Sequence, residues 1–156
     1  MVSRGSKRSQ QKTFSVFWKK LGIYFNVVFV KRRVVKAYFS SKPLRNTYSG
    51  KIRRDLERYF YGEIRKIRCK YTLINVSDFT RKVLKIVKRI PYGSVKFYSE
   101  IAEILNTSPR AVGQALKRNP IPVIIPCHRV VSKSGLGGYS AGLRIKMALL
   151  ELERDR

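Results

Sequence analysis

The chain has 156 residues, 44% of them apolar, and a formal net charge of +26 from 35 Lys/Arg against 9 Asp/Glu. That length holds one domain with a good core or two small ones, and the apolar share excludes a wholly disordered chain. Residues 1–70 carry 20 Lys/Arg against 3 Asp/Glu and residues 71–156 carry 15 against 6, so the charge is not one tail on a neutral body and points to a polyanion, most simply nucleic acid.

Residues 1–12 have no hydrophobic period and read as a flexible basic arm. Residues 13–76 read as a small N-terminal β-hairpin/α domain. Ile23–Val30 is β-branched and aromatic, Lys31-Arg32-Arg33 reads as a turn, and Val34–Phe39 as the returning strand. Ser40–Gly50 is a connector. Ile52–Tyr61 has apolar residues at 52, 56, 59 and 60, which is helical spacing, and Gly62 ends it. Arg65–Ile74 reads as another short strand, with Cys69 a half-buried strand residue.

Residues 77–156 read as a second, mainly helical domain, so the fold class expected is α/β (α+β). Ser77 or Asp78 caps a helix whose Phe79, Val83, Ile86, Val87 and Ile90 line one face. Phe97–Leu105 makes a short helix, and Asn106-Thr107 a turn. Ser108 is a good cap and Pro109 a good first residue for a helix to about Arg118. Two short helices and a tight turn fit a helix-turn-helix or a packed helical hairpin. In the helix-turn-helix reading, Ala111, Gly113 and Ala115 are small enough to let the second helix approach a surface, with Arg110 at its N-terminus suited to a phosphate or base edge. The apolar run Ile121–Ile125 then leads into Pro126-Cys127-His128-Arg129-Val130. Leu143–Glu153 closes the chain as a helix with an almost continuous apolar girth, which predicts burial.

His128 is the only histidine and sits beside one of two cysteines. A reactive thiol needs thiolate character, usually from a base that a third group orients. Cys127, His128 and Glu153 supply those three types. Adjacent residues of an extended segment point opposite ways, so a water between Cys127 and His128 is plausible. One His and two distant Cys do not complete a structural zinc site. Nor do two cysteines make a disulfide framework, and a reduced intracellular setting fits them. No stretch is apolar enough to span a membrane, and residues 1–12 lack the features of a signal peptide. The expected location is the cytosol, at the nucleoid, or the nucleus in a eukaryote.

Ile125-Pro126-Cys127-His128-Arg129-Val130 resembles the active-site signature of the O6-alkylguanine-DNA alkyltransferases, the methylated-DNA–protein-cysteine methyltransferases. Pro91-Tyr92-Gly93, Tyr98, Ser108-Pro109-Arg110-Ala111-Val112-Gly113, Asn119-Pro120 and Gly137-Gly138-Tyr139-Ser140 follow the family's order and spacing. The similarity covers roughly residues 77–154. Over residues 1–76 only a hairpin followed by a helix agrees.

The resemblance implies repair of duplex DNA by irreversible, single-use transfer of an alkyl group from O6 of guanine, with O4 of thymine a further candidate, onto Cys127. A helix-turn-helix in the minor groove flips the damaged base out. His128 would be the base through a water, and Glu153 would orient it. Tyr98 would donate a proton toward guanine N3, and Lys146 would assist at Cys127. Arg110 would fill the gap left by the flipped base, on a helix opened by Ser108 and bearing Ala111, Gly113 and Ala115. Asn119 would tie the turn after that helix to the active-site segment. Val130, Gly137, Tyr139 and Ser140 would line the base pocket, Ser140 reaching O6. No cofactor is implied, no zinc is expected, and the partner is duplex DNA bound by a monomer. The basic N-terminal residues add non-specific nucleic-acid contacts or touch another partner. Rival readings are a DNA-binding sensor of alkylated guanine, a thiol hydrolase, and a basic structural protein with an inert thiol.

Overall fold

Segments rich in β-branched and aromatic residues build three antiparallel strands in the computed structural model, which describes residues 11–154. Strand β1 is Gln11–Trp18, β2 Ile23–Val30 and β3 Arg33–Ser40, side by side in that order. The hairpin read from the sequence is β2–β3, and β1 is an addition. Of the arm expected over 1–12, residues 1–10 lie outside the described residues, while Gln11 and Lys12 open β1. The β2–β3 turn is tighter than read, because Arg33 belongs to β3. Its two central residues, Lys31 and Arg32, take φ of 50° and 64°. A two-residue hairpin of the primed type needs both in the left-handed region.

Phe14, Val16 and Trp18 of β1 and Phe25, Val27 and Phe29 of β2 are buried on one sheet face. Helix α1 (Lys51–Phe60) turns Ile52, Leu56, Tyr59 and Phe60 inward, the spacing expected of one helical face. The Phe60 ring meets Trp18 at 4.9 Å and Phe25 at 5.5 Å between centroids. Gly62 ends the helix at φ 75°, where its lack of a Cβ makes the left-handed conformation cheap. On the opposite face, Ser15 Oγ donates to Asn26 Oδ1 at 2.6 Å, Asn26 Nδ2 donates to the Lys42 carbonyl at 3.0 Å, and Leu44 N–H donates to Ser15 Oγ at 2.7 Å. These bonds fasten the connector after β3 to the sheet. Residues 65–74 do not form the expected strand. One residue, Tyr71, bridges Val34 in parallel, and a strand needs consecutive ladder bonds.

The chain divides into two units between Ile74 and Asn75. In the second, helix α2 (Asp78–Lys88) begins at Ser77, whose Oγ accepts the Thr80 N–H at 3.1 Å. It buries Thr80, Val83, Leu84 and Val87. The inward face is thus rotated from the one expected, and Phe79 and Ile86 are only half-buried. Strand β4 (Lys96–Phe97) runs straight into helix α3 (Tyr98–Ile104). Asn106 turns the chain at φ 52°. Helix α4 (Pro109–Leu116) follows, capped by Ser108 Oγ accepting the Ala111 N–H at 3.1 Å.

The run Ile121–Ile125 coils back on itself. Ile125 N–H reaches the Ile121 carbonyl at 3.0 Å, and Val123 sits at φ 71°, a conformation uncommon for a β-branched residue. Pro126 (φ −80°, ψ 65°) makes an inverse γ-turn, and Cys127–Arg129 form one 3-10 turn. The extended segment expected around Cys127 is therefore absent. Strand β5 (Val130–Val131) pairs in parallel with β4. Helix α5 (Leu143–Arg154) buries Lys146, Ala148, Leu149 and Glu153. It is not buried all round, as its apolar girth predicted: Leu143 is 49% and Met147 48% exposed. Composition cannot tell which side of a helix meets the core, and here two charged residues take the inner side. No helix of the described residues is long and apolar enough to cross a membrane.

The Ser15–Asn26 network yields a stability prediction. Ser15→Ala leaves Asn26 and the Leu44 amide short of a partner away from water, so unfolding free energy should fall by about 1–3 kcal/mol. Urea denaturation reads this directly, and a loss under about 0.5 kcal/mol would show that the connector is fastened some other way.

Candidate active site

A buried carboxylate organises the site. Glu153, on the inner side of α5, is 3% exposed. Arg129 meets it with two bonds, Nε to Oε1 and Nη2 to Oε2, each 2.8 Å. The third arm of the guanidinium, Nη1, donates to the Ile90 carbonyl at 2.7 Å. His128 Nε2 lies 2.9 Å from Glu153 Oε2. A carboxylate held ionised by Arg129 only accepts, so Nε2 is the ring nitrogen that carries the proton. Nδ1 is then the basic atom, and it has no hydrogen-bond partner among the described residues. Burial pulls the His128 pKa below its ordinary 6.5. Glu153 opposes that shift, and Arg129 and Lys146 reinforce it. The ring is thus neutral at neutral pH.

Cys127 is 7% exposed. Burial pushes its thiol pKa up, while hydrogen bonds from Asn119 and Tyr139 and the charge of Lys146 pull the other way. The resting group is the thiol, surrounded by groups that favour the thiolate once a proton acceptor is at hand. Asn119 also donates from Nδ2 to the Ile125 carbonyl at 3.0 Å and accepts the Ile121 N–H at 3.0 Å. One side chain thus bridges the end of the α4 region, the coiled apolar run and the thiol.

Lys146 is fully buried. Its Nζ donates to the carbonyls of Val130 at 2.7 Å and Gly138 at 2.9 Å, and to Tyr98 Oη at 3.4 Å. Burial lowers its pKa to about 8, with Cys127 opposing the shift. Tyr98 Oη donates to the same Gly138 carbonyl at 3.3 Å, and burial raises the phenol's pKa. Lys146 therefore ties α5 to β5 and to the glycine-rich loop, and sets the Tyr98 hydroxyl. Gly137 packs so closely on Tyr98 that a Cβ there would lie 2.6 Å from the ring and hydroxyl, at φ 74°.

A cleft of about 550 Å³ opens over Cys127, lined by Tyr98, Arg110, Gly113, Tyr139 and Ser140 among others. That volume suits a small organic group. Asn119, His128, Lys146 and Glu153 stand behind it. Ser108 caps α4, and Ala111 is half-buried on it. Two expected contact residues are placed otherwise. Ala115 is 1% exposed and Val130 0%, so Ala115 packs inward from α4 instead of offering a surface, and the Val130 side chain belongs to the core. A small residue is as useful where helices pack as where a helix meets a partner, and sequence does not separate the two. Arg129 is a site residue that sequence reasoning passed over. Its signal was available: a buried glutamate needs a cation, and Arg129 adjoins His128. Lys117 and Lys133, also at the cleft, carried no motif. Among the described residues no group of three or more His, Cys, Asp or Glu is placed to hold a metal.

Residues 78–155 match the family model of the 6-O-methylguanine DNA methyltransferase DNA-binding domain. The chain is 54% identical over 146 residues to a methylated-DNA–protein-cysteine methyltransferase of Archaeoglobus fulgidus, covering 90% of this chain and 97% of that one. A methyltransferase of the same name from Methanocaldococcus jannaschii is 63% identical over 81 residues, 52% of this chain and 48% of the relative. The fold matches the crystal structure of Mycobacterium tuberculosis O6-methylguanine methyltransferase with a TM-score of 0.79, 30% identity and 94% of each chain covered. A Mycobacterium tuberculosis structure in complex with DNA matches at 0.70, with 31% identity over 85% of this chain and 87% of that one. With near-complete coverage of one relative and an α+β fold shared with the others, this chain belongs to the methylated-DNA–protein-cysteine methyltransferase family, the O6-alkylguanine alkyltransferases.

Proposed function

We propose that Cys127 accepts the methyl group from O6-methylguanine of duplex DNA, in the DNA repair reaction to which membership of the family assigns this chain. The observation that carries this reading is the placement of the Cys127 thiol at a cleft large enough for a base, with the neutral His128–Glu153–Arg129 relay behind it. His128 Nδ1 takes the thiol proton through a water. Sγ attacks the methyl carbon, forming the S–C bond as the C–O6 bond breaks. The electron pair released enters the guanine ring, and Tyr98 protonates N3, which makes the base a better leaving group. Overall the thiol proton replaces the methyl on guanine, and Cys127 becomes S-methylcysteine. A thioether has no easy return path, so each molecule acts once.

A guanine inside a duplex does not reach the cleft, so the base is flipped out at a cost of a few kcal/mol. The reading gives α4 to the minor groove, Arg110 to the gap in the stack, and Tyr139 and Ser140 to the flipped base, Ser140 at O6. Gly113 keeps the cleft-facing side of α4 low. Surface cations near the cleft, such as Lys117 and Lys133, supply salt-dependent backbone affinity.

Three outcomes test this. Incubation with duplex DNA carrying one O6-methylguanine should raise the intact mass by a single methyl per molecule, and Cys127→Ser should show no gain; repeated turnover or an unmodified wild-type protein would sink the proposal. The single-turnover rate should hold as pH falls through 6.5 and decline only below it, because His128 acts as a neutral base and its pKa is lowered by burial. A rate already halved at or above pH 6.5 would remove His128 from the role of base. Arg110→Ala should slow repair of duplex DNA about tenfold while leaving transfer from the free base within about twofold. Equal losses on both substrates would argue against the stack-filling role.

A further inference from the structure

We propose that the N-terminal unit carries its own phosphate-gripping surface for duplex DNA, a stripe of cations formed by the β2–β3 turn and the segment that bridges β3. This goes beyond methyl transfer, which uses none of these residues. The first observation is a missing counter-charge. Residues 11–54 contain no Asp or Glu. The three carboxylates that follow within the unit are already taken: Asp55 by Lys51 at 2.7 Å, Glu57 by Arg53 and Glu63 by Arg58, each at 3.4 Å. No carboxylate of the unit is left for Lys31, Arg32, Lys66, Arg68 and Lys70, all of which are exposed.

The fold gathers these cations. Val34 N–H donates to the Lys70 carbonyl and Thr72 N–H to the Val34 carbonyl, both at 3.0 Å, in a parallel bridge of Val34 with Tyr71. Arg33 Nη1 donates to the Tyr71 carbonyl at 3.2 Å. In that register Arg33 lies beside Lys70, and the turn at Lys31–Arg32 adjoins Arg33. The segment alternates: Ile67, Cys69 and Tyr71 are half-buried, while Lys66, Arg68 and Lys70 are exposed. Three cations thus project from one side, about 6.7 Å apart for an extended chain.

Two features oppose folding and are kept nonetheless. Like charges are clustered where they repel. Lys31 and Arg32 also hold left-handed conformations at positions where Asn-Gly would be easier. Backbone strain of this kind marks functional sites, and here it brings two long cations to the tip of the hairpin. Lys66 to Lys70 span about 13 Å, along which one DNA strand presents about four phosphates. A periodic polyanion matches such a row, and reading bases would need more than cations.

The test uses the full chain with Cys127→Ser, so that it does not depend on methyl transfer, and an undamaged duplex of about 20 base pairs. Lys31→Gln, Arg32→Gln and Arg68→Gln together should lower the slope of log K against log salt by about 2–3 and weaken binding about tenfold or more at 0.1 M salt. The charge-preserving set Lys31→Arg, Arg32→Lys and Arg68→Lys should keep the parent slope. Lys66→Gln with Lys70→Gln, which alters no backbone bond of the bridge, should lower it by about 1–2, and this holds even where the triple variant melts early. An unchanged slope in the folded glutamine variants overturns the proposal. So does a loss confined to single-stranded RNA, with duplex DNA binding intact.

Discussion

A negative charge carried into the protein interior must be met there, and Glu153 is met twice. Arg129 neutralises it through two 2.8 Å bonds, and His128 gives it the one proton its ring holds. Removing one member of such a buried pair costs about 3–5 kcal/mol, because the remaining charge is left without a partner. The arrangement fixes more than stability. Burial, reinforced by the charges of Arg129 and Lys146 against the pull of Glu153, keeps His128 neutral and its Nδ1 basic. Arg129 also binds the Ile90 carbonyl at the end of α2. The 3-10 turn carrying Cys127 is thereby locked to two helices at once.

Lys146 has a similar part on the other side of the thiol. Its ammonium is desolvated, hence the pKa of about 8, and backbone carbonyls of Val130 and Gly138 take the place of water around it. The same Gly138 carbonyl holds the Tyr98 hydroxyl. A cation and a phenol beside the thiol are thus positioned by backbone atoms of β5 and the glycine-rich loop. The close fit of Gly137 against Tyr98 accounts for glycine at that position of the loop.

The N-terminal unit is built on a different balance. Its core is aromatic, centred on Phe60 against Trp18 and Phe25, and it needs no buried ion pair. Asp55 is buried and paired with Lys51, and among the described residues every Lys and Arg of the unit except the half-buried Arg53 is exposed. Such a unit can stay folded while presenting a strong positive field, because burial of its rings does not depend on what the cations meet.

Much of this was legible in the sequence. β-branched and aromatic composition marked β2 and β3, because strand propensity is written residue by residue. Ser77, Ser108 and Pro109 marked helix starts, because a cap acts over three or four residues. The cysteine–histidine adjacency and the family signature singled out Cys127, His128 and Glu153 before any geometry. Other features depend on contacts between residues far apart in the chain. Val34 and Tyr71 meet singly, so strand propensity in residues 65–74 did not make a strand. The inward sides of α2 and α5 were set by what packs against them, which put Lys146 and Glu153 inside and left Leu143 and Met147 at the surface. Ala115 packs within the unit for the same reason, and Arg129 took its role because α5 delivers a carboxylate to it. By itself the sequence determined which residues could do the chemistry and where most local elements begin, since both depend on neighbours along the chain. Only the tertiary structure decided which face of each element turns inward and which charges meet, since burial and pairing are properties of neighbours in space.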